Sequence, residues 1–254
     1  MTEPAPPSQD RPNRTQPRNS TSWAVSSSVL HVSDIPAGAV NLNVEGRRVA
    51  GALQGFGQLW QKTYEVRLSG ADVTPQEVVR VWKEEFPSFN PPQSRFYPPL
   101  SGVAPGEVML INASVEGMPV YNGVMVLYAD EESFTVMTAE GHPEAGWNTF
   151  SAHRDDDGTV VAQIQSLARA SDPIYEISFR LFASTEQEKI WTHVLTSLAA
   201  RFGASEPVQL QKVCVDPKMQ WSRVGNVWRN AGARSLLYAV AVAPLRRGRS
   251  WIAR

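Results

Sequence analysis

Five short apolar segments follow one another between residues 108 and 169, and the sequences between them are polar and turn-forming. Segments of this length, joined by turn residues at short spacing, are typical of β-strands in hairpins. The predicted strands are Val108–Ala113, Pro119–Tyr128, Phe134–Thr138, Trp147–His153 and Thr159–Arg169. A chain with this pattern is expected to form an antiparallel meander.

A strand and a capped helix are predicted before the meander. Residues 64–68 alternate apolar and charged side chains, with the period of two that a half-buried strand needs. Thr74 is then a favourable N-cap, and Glu77 lies where its carboxylate can accept a hydrogen bond from the Thr74 backbone amide. The pattern predicts a helix that begins after Thr74 and ends before Pro87.

A longer helix is predicted after the meander. Thr185 and Glu188 have the spacing of a second capping box, and apolar residues then recur on one face as far as Phe202. Gly203 is placed to end this helix. A separate, shorter helical piece is predicted to start at Asp172.

The chain is predicted to divide into a domain and two flanking parts. Residues 1–22 are rich in Pro, Ser, Thr, Asn and Arg, and we expect a disordered tail. Residues 23–203 carry the domain, with an N-terminal extension and an ordered proline-rich loop at 87–105. Residues 204–254 are predicted to form a C-terminal extension packed on the domain. Its apolar run Leu236–Ala243 is far shorter than the roughly 20 residues that cross a bilayer, so no transmembrane segment is expected.

Composition disfavours several kinds of partner. The formal net charge is −1 and the pI is near 6.4, so the chain lacks the excess of cations expected of a nucleic-acid binder. Cys214 is the single cysteine and cannot form an internal disulfide or a thiolate zinc site. Without a signal-peptide pattern, a cytoplasmic location is expected. The basic C-terminal end, with Arg246, Arg247 and Arg249, could touch an anionic membrane surface, although a short basic tail is more often simply solvated.

The sequence Gly141-His142-Pro143-Glu144-Ala145-Gly146 interrupts the meander with an unusual polar cluster. Together with Phe150 and the turn at 157–160, this motif resembles a bacterial family of uncharacterised proteins associated with the START-like, or SRPBCC, superfamily. The element order over residues 62–203 is similar to that of the helix-grip fold. This is an α+β fold in which a curved antiparallel sheet wraps around a long C-terminal amphipathic helix.

The resemblance implies an apolar cavity between the sheet and the long helix. Members of the superfamily include lipid-transfer proteins, polyketide cyclases and plant pollen-allergen relatives that bind hydrophobic molecules. The resemblance does not imply one activity, because function belongs to the site that a fold carries. This chain departs from the superfamily pattern in its proline-rich loop, where a second short helix is usual, and in about 50 residues after the long helix.

His142 and Glu144 are the candidates for chemistry. An imidazole titrates near neutral pH, and a carboxylate two residues away could tune it for acid or base catalysis. The alternative is a turn in which Gly141 and Pro143 set the backbone and His142 only caps the loop. We favour the turn. His153 and His193 could complete a set of three imidazoles with His142, but their spacing is not that of metal ligands, so no metal site is expected.

Aromatic residues are the candidates for ligand contact. Rings on the sheet and on the long helix could line an apolar pocket, and Tyr175 or Arg169 could hold a polar end of the ligand. The predicted ligand-binding residues are Trp147, Arg169, Tyr175, Phe179 and Trp191. The alternative, that these rings fill the core completely, is how most buried aromatic residues behave, and it stays open.

Three functions are compatible with these patterns. The first is binding of a small hydrophobic or lipid-like ligand between the sheet and the long helix, with no cofactor. The second is a cyclase or dehydratase of the polyketide type, which would use His142 with Glu144 or Arg169 in an apolar cavity. The third is a protein-interaction module with a closed cavity and a Trp-rich C-terminal extension. The sequence leaves open the identity of the ligand, whether catalysis occurs, the oligomeric state and the role of residues 204–254.

Overall fold

The fold is built on one antiparallel sheet of eight strands. The structure, a computed structural model, describes residues 19–27, 29–115 and 117–242. In chain order the strands are β1 (Leu59–Arg67), β2 (Ser94–Tyr97), β3 (Val108–Val115), β4 (Met118–Ala129), β5 (Ser133–Thr138), β6 (Glu144–Arg154), β7 (Val160–Ala170) and β8 (Gln209–Asp216). Their order in the sheet is β2-β3-β4-β5-β6-β7-β1-β8, and every neighbouring pair is antiparallel. The predicted meander is confirmed as strands β3 to β7.

The proline-rich stretch at 87–105 differs from the predicted loop because it contains β2. Residues Ser94–Tyr97 pair with β3 at the edge of the sheet. Prolines lie on both sides of these four residues and none lies among them, so the strand keeps the backbone amides that pairing needs. The segment before β2 also includes a 3₁₀ turn at Phe86–Phe89.

Two helices cover one face of the sheet, which we call the inner face. Helix α1 (Pro75–Glu84) packs against β6 and β7, and a longer helix, α3 (Ser184–Arg201), packs against β1 and β7. The Thr74 hydroxyl oxygen accepts a hydrogen bond from the Glu77 amide at 3.2 Å, so the N-cap of α1 is confirmed. An antiparallel sheet with a long helix packed on its inner face is the predicted α+β helix-grip arrangement.

The predicted capping box at Thr185 and Glu188 is wrong. Helix α2 (Pro173–Ser178) continues through one π turn (Phe179–Ala183) directly into α3. Ala183 is helical and supplies no side-chain cap. The helix has already started at Asp172, whose carboxylate accepts from the amides of residues 174 and 175 at 2.8 and 3.0 Å. No glycine follows before Thr185 to end it.

Aromatic rings form the centre of the core between α1, α3 and the inner face. Phe134 and Phe150 on neighbouring strands stack with their centroids 4.6 Å apart. Trp82 of α1 and Trp191 of α3 approach the Phe150 ring at 5.3 and 5.6 Å. Leu195, one turn after Trp191, is completely buried. This cluster connects both helices to the middle of the sheet.

The N-terminal extension covers part of the opposite, outer face. Leu30 and Val44 join a second apolar cluster with Val108, Leu110 and Met125 of β3 and β4. Residues 20–22 form a 3₁₀ turn, after which the Trp23 and Tyr128 rings approach to 4.8 Å. Residues 1–18 of the predicted disordered tail lie outside the described residues.

The chain after α3 contributes a strand and a helix. Gly203 follows α3 with a φ of +75°, the left-handed conformation expected of a glycine that ends a helix. Strand β8 then pairs with β1, and a 3₁₀ segment (Trp221–Arg229) leads into helix α4 (Ala231–Leu237), which packs on β4. No helix in the described residues is long and apolar enough to cross a membrane. The basic end from residue 243 onwards lies outside the described residues.

We expect Leu195→Ala to lower the free energy of unfolding by about 2 to 5 kcal/mol, because it leaves a cavity under α3. Thr196→Ala is the matched control, since Thr196 is exposed on the same helix, and it should change stability by less than about 0.5 kcal/mol. Urea unfolding followed by circular dichroism measures both. Equal midpoints for the two variants would contradict the packing of α3 on the sheet.

Candidate functional site

A cavity of about 360 Å³ lies between the inner face of the sheet and the helices. Strands β2 to β6 form one wall, and α2, the π turn and α3 form the opposite wall. Helix α4 closes a third side. Most of the lining is apolar, with Phe96, Ile111, Val124, Val136, Phe179 and Ile190 among its side chains. The volume falls within the range of about 300 to 1,000 Å³ that is usual for small-molecule sites.

Small side chains contribute to both walls of the cavity. Ser178 precedes the π turn, Ala183 is the last residue of that turn, and Ala113 lies on β3. Larger residues at these positions would occupy the space. A π turn inside a helix is often found at functional sites.

Exposed apolar side chains mark the mouth of the cavity. Met118, Ile174 and Leu236 line it and are 47%, 52% and 44% exposed. They lie at the start of β4, on α2 and on α4 respectively. The mouth of the cavity therefore lies between the start of β4 and helices α2 and α4.

His142 lies in the cavity wall within a tight turn. Gly141 has a φ of +90°, and a Cβ there would lie 2.0 Å from the Arg229 carbonyl oxygen, so this position requires glycine. The His142 Nδ1 lies 3.0 Å from the Glu144 amide nitrogen and 3.1 Å from the Glu144 carbonyl oxygen, so it accepts from the amide in one tautomer and donates to the carbonyl in the other. Burial lowers the pKa of His142 to about 4. The ring is therefore neutral at pH 7.

Glu144 is the second ionisable group of this part of the cavity. Burial raises the pKa of Glu144, and the nearby charge of Lys62 and a hydrogen bond from the Gln187 Nε2 partly offset that effect. Lys62 itself does not line the cavity. Its ammonium contacts Ser184 Oγ and Gln187 Oε1, both at 3.0 Å, and pairs with Glu188 at 3.3 Å.

Three buried polar atoms in the lining residues have no hydrogen-bond partner in the described part of the chain. They are Asn122 Oδ1, Asn148 Oδ1 and Trp191 Nε1. The three residues are only 3%, 7% and 6% exposed. A buried polar group without a partner costs about 1 to 3 kcal/mol. All three residues line the cavity, so a ligand there would lie close to these polar groups.

Tyr175 connects the cavity wall to α4. Its ring lines the cavity, and its hydroxyl oxygen accepts a hydrogen bond from the Gly232 amide at 2.7 Å. Burial raises the pKa of Tyr175. Asn230, the N-cap of α4, donates to the buried Asp172 carboxylate at 2.8 Å. Two hydrogen bonds therefore hold the start of α4 against the start of α2.

The structure brings five of the sequence-predicted residues together at the cavity. They are His142, Glu144, Tyr175, Phe179 and Trp191. Trp191 also belongs to the aromatic core, so its ring contributes to both the filled and the open part of the inner face. The other two predicted ligand residues, Trp147 and Arg169, do not line this cavity.

Trp147 lies on the outer face because side chains alternate along β6. Asn148, its neighbour, lines the cavity, so Trp147 points to the other side. A Cβ on Gly51 would lie 3.9 Å from the Trp147 ring, which places the ring beside the N-terminal extension. The ring is half-buried there.

Arg169 is buried near the C-terminal end of β7, where it contacts the loop at 55–57 and the end of β8. It donates to the Gly57 carbonyl at 3.0 Å and pairs with Asp216 at 3.1 Å. A Cβ on Gly55 would lie 2.6 Å from Arg169 Cγ, so the loop at 55–57 packs directly on this side chain. The guanidinium is thus engaged away from the cavity.

Sequence reasoning missed Asn122, Asn148 and Gln187. A signal was present for the two asparagines, because Asn122 shares its strand face with Val124, and Asn148 shares its face with Phe150. A polar residue in the register of a buried face is an informative exception. No comparable signal marked the cavity-lining residues of α4.

The three histidines His142, His153 and His193 do not form a metal site in the structure. In the described ranges, no group of three or more His, Cys, Asp or Glu side chains is arranged to hold a metal ion. His193 is exposed on α3, whereas His142 is enclosed by its turn.

Residues 75–197 match the model of a family described as a domain of unknown function, DUF1990. This match spans α1, the meander and most of α3. Comparison with curated protein sequences finds no match. The link between the Gly141–Gly146 motif and a bacterial family stays a prediction.

Several solved structures resemble the fold at low sequence identity. A START superfamily protein from Mycobacterium smegmatis is 17% identical, with 58% of this chain and 98% of that chain covered and a TM-score of 0.41. The major latex-like protein 151 of Panax ginseng is 17% identical, with coverages of 57% and 99% and a TM-score of 0.36. The di-domain ARO/CYC StfQ of the steffimycin biosynthetic pathway is 10% identical, with coverages of 57% and 51% and a TM-score of 0.45. The fold described above rests on the chain's own sheet order and helix packing.

Acid should destabilise the protein through His142. The pKa of His142 is about 4 in the folded chain, whereas its ordinary value is 6.5. Between pH 6.5 and pH 4, the unfolded chain therefore binds a proton at His142 that the folded chain does not bind. Stability is then lost as the pH falls from 6.5 towards 4, by up to about 3 kcal/mol at about 1.4 kcal/mol per pKa unit.

His142→Asn isolates this effect, because Asn Oδ1 can accept the Glu144 amide hydrogen in place of Nδ1 and does not titrate. We expect wild type to lose stability relative to this variant between pH 6.5 and 4, measured by urea unfolding. Parallel pH profiles of the two proteins would contradict a neutral, buried His142.

Proposed function

We propose that this protein reversibly binds a small, largely apolar molecule in the cavity between the sheet and helices α2, α3 and α4. The observation that carries the proposal is the contrast within the inner face. One part is filled by the stacked and edge-on rings around Phe150, and the neighbouring part encloses about 360 Å³ with an apolar lining. An empty cavity beside a close-packed core lowers the stability of the protein, and a bound ligand would supply the missing contacts.

The polar groups of the lining support the same proposal. A ligand that enters an apolar cavity is usually oriented by a few polar groups at fixed positions. The unpartnered atoms of Asn122, Asn148 and Trp191, with the turn at His142, supply such groups here. The exposed apolar residues at the mouth give an apolar molecule a route from the surface.

A cyclase or dehydratase is the second candidate. One observation favours it, because His142 and Glu144 both line the cavity and could act as an acid and a base on a bound substrate. The interaction module has less support, because it requires side chains to fill the cavity, whereas about 360 Å³ of space remains there. The cytoplasmic location also stays a proposal.

Binding can be tested with Nile red, an uncharged dye whose emission rises in apolar surroundings. We expect saturable binding and a rise in melting temperature with dye concentration, because a ligand that binds only the folded state stabilises it. Ala183→Phe should weaken binding about tenfold or more, since the ring would occupy the cavity.

The matched control is Ala200→Phe, which places the same ring on the exposed side of α3 outside the cavity. It should bind the dye as wild type does. Equal affinities for both variants, or no saturable binding to wild type, would contradict the proposed site.

A further inference from the structure

The ionisable groups that line the cavity include no cation at neutral pH. Among the lining residues of the described chain there are two glutamates, Glu144 and Glu186, the neutral His142, and no lysine or arginine. The nearest buried cation, Lys62, lies outside the lining and is paired with Glu188. A negatively charged ligand would therefore find no counter-charge in this cavity.

Burial of a carboxylate here would be strongly unfavourable. An anion that leaves water must recover its hydration from opposite charges or from several hydrogen-bond donors. The polar end of the cavity instead presents the carboxyl group of Glu144, whose negative form would repel it. Glu186, paired with Lys189 at 2.6 Å, adds a second acidic group to the lining.

The hydrogen-bonding atoms at His142 and Glu144 complement a hydroxyl group. The Glu144 backbone engages His142 Nδ1 in either tautomer, so Nε2 remains as a donor in one tautomer and an acceptor in the other, and it has no partner in the described residues. One Glu144 oxygen accepts from Gln187, and the other accepts no hydrogen bond from the described residues. A hydroxyl oxygen can accept from Nε2–H while its hydrogen is donated to this free carboxyl oxygen, and in the other tautomer the hydroxyl can donate to Nε2 instead.

The buried amides extend this pattern along the cavity. Asn122 and Asn148 each carry an unpartnered buried oxygen, which can accept a hydrogen bond from a hydroxyl group. Trp191 Nε1–H offers one further donor. Each of these atoms fits a neutral polar group on an otherwise apolar ligand.

We infer that the cavity selects neutral apolar molecules that carry a hydroxyl group and rejects the corresponding carboxylates. The inference rests on the proposed binding function, and it adds the chemical class of the ligand. Glu144 is the residue that sets this selectivity, and Gln187 positions its carboxyl group through the hydrogen bond to one oxygen.

The test is a competition between two ligands of equal chain length at pH 7.5. Bound Nile red is displaced with 1-decanol or with decanoate, both kept below the concentration at which they aggregate. We expect decanol to compete at least tenfold more strongly than decanoate.

Glu144→Gln tests the residue assigned to the selectivity. It removes the acidic group and retains an oxygen that can accept from Gln187. The preference for decanol over decanoate should fall at least threefold. Glu65→Gln is the matched control, since Glu65 contacts Gln163 and does not line the cavity, and it should keep the wild-type preference.

Asn148→Leu is an independent variant in case the Glu144 substitution disturbs folding. It replaces an unpartnered buried amide with an apolar side chain of similar size, so the empty protein should become more stable. Nile red should still bind, and decanol should bind several-fold more weakly.

The outcomes separate this inference from the function on which it rests. If Nile red does not bind to wild type, the proposed function fails. If the dye binds but decanoate competes as well as decanol, the binding function stands and the ligand class is wrong. An unchanged preference in a folded Glu144→Gln would also overturn the role of Glu144.

Discussion

The aromatic packing on the inner face determines where the remaining elements can lie. Phe150 contacts rings from α1, α3 and the neighbouring strand, so both helices are fixed over the same part of the sheet. Helix α1 packs mainly on β6 and β7 and α3 mainly on β1 and β7, whereas the sheet extends further to β2 and β3, where Phe96 approaches Trp191 at 6.5 Å. The cavity lies over that part, because the rings that hold the helices also set their distance from it.

Local patterns were sufficient where neighbouring residues determine the structure. The Thr74 cap and the left-handed Gly203 depend on contacts within one turn of a helix, and both could be predicted. Strands β3 to β7 could be predicted because short polar turns separate them. The second capping box failed because a cap acts only where a helix begins, and Asp172 had already started that helix.

The candidate site was less predictable because it depends on which face each side chain occupies. Trp147 and Asn148 are adjacent in sequence, yet only the asparagine reaches the cavity. An aromatic ring can be buried on a sheet face that is covered by helices or on one that is covered by an extension. The residue type of Trp147 therefore did not indicate which face of the sheet the ring occupies. The wall formed by α4 depends on contacts with residues far away in sequence, such as the hydrogen bond between Gly232 and Tyr175.

One wall of the cavity, helix α4, is synthesised after the other walls. The sheet strands β1 to β7, together with α2 and α3, are encoded before residue 202, whereas the third wall comes from residues 231–237. Domains generally fold as units, while synthesis proceeds from the N-terminus. The wall at α4 is therefore the last described part of the cavity to be synthesised, and the third side can close only after the chain has been extended past residue 237.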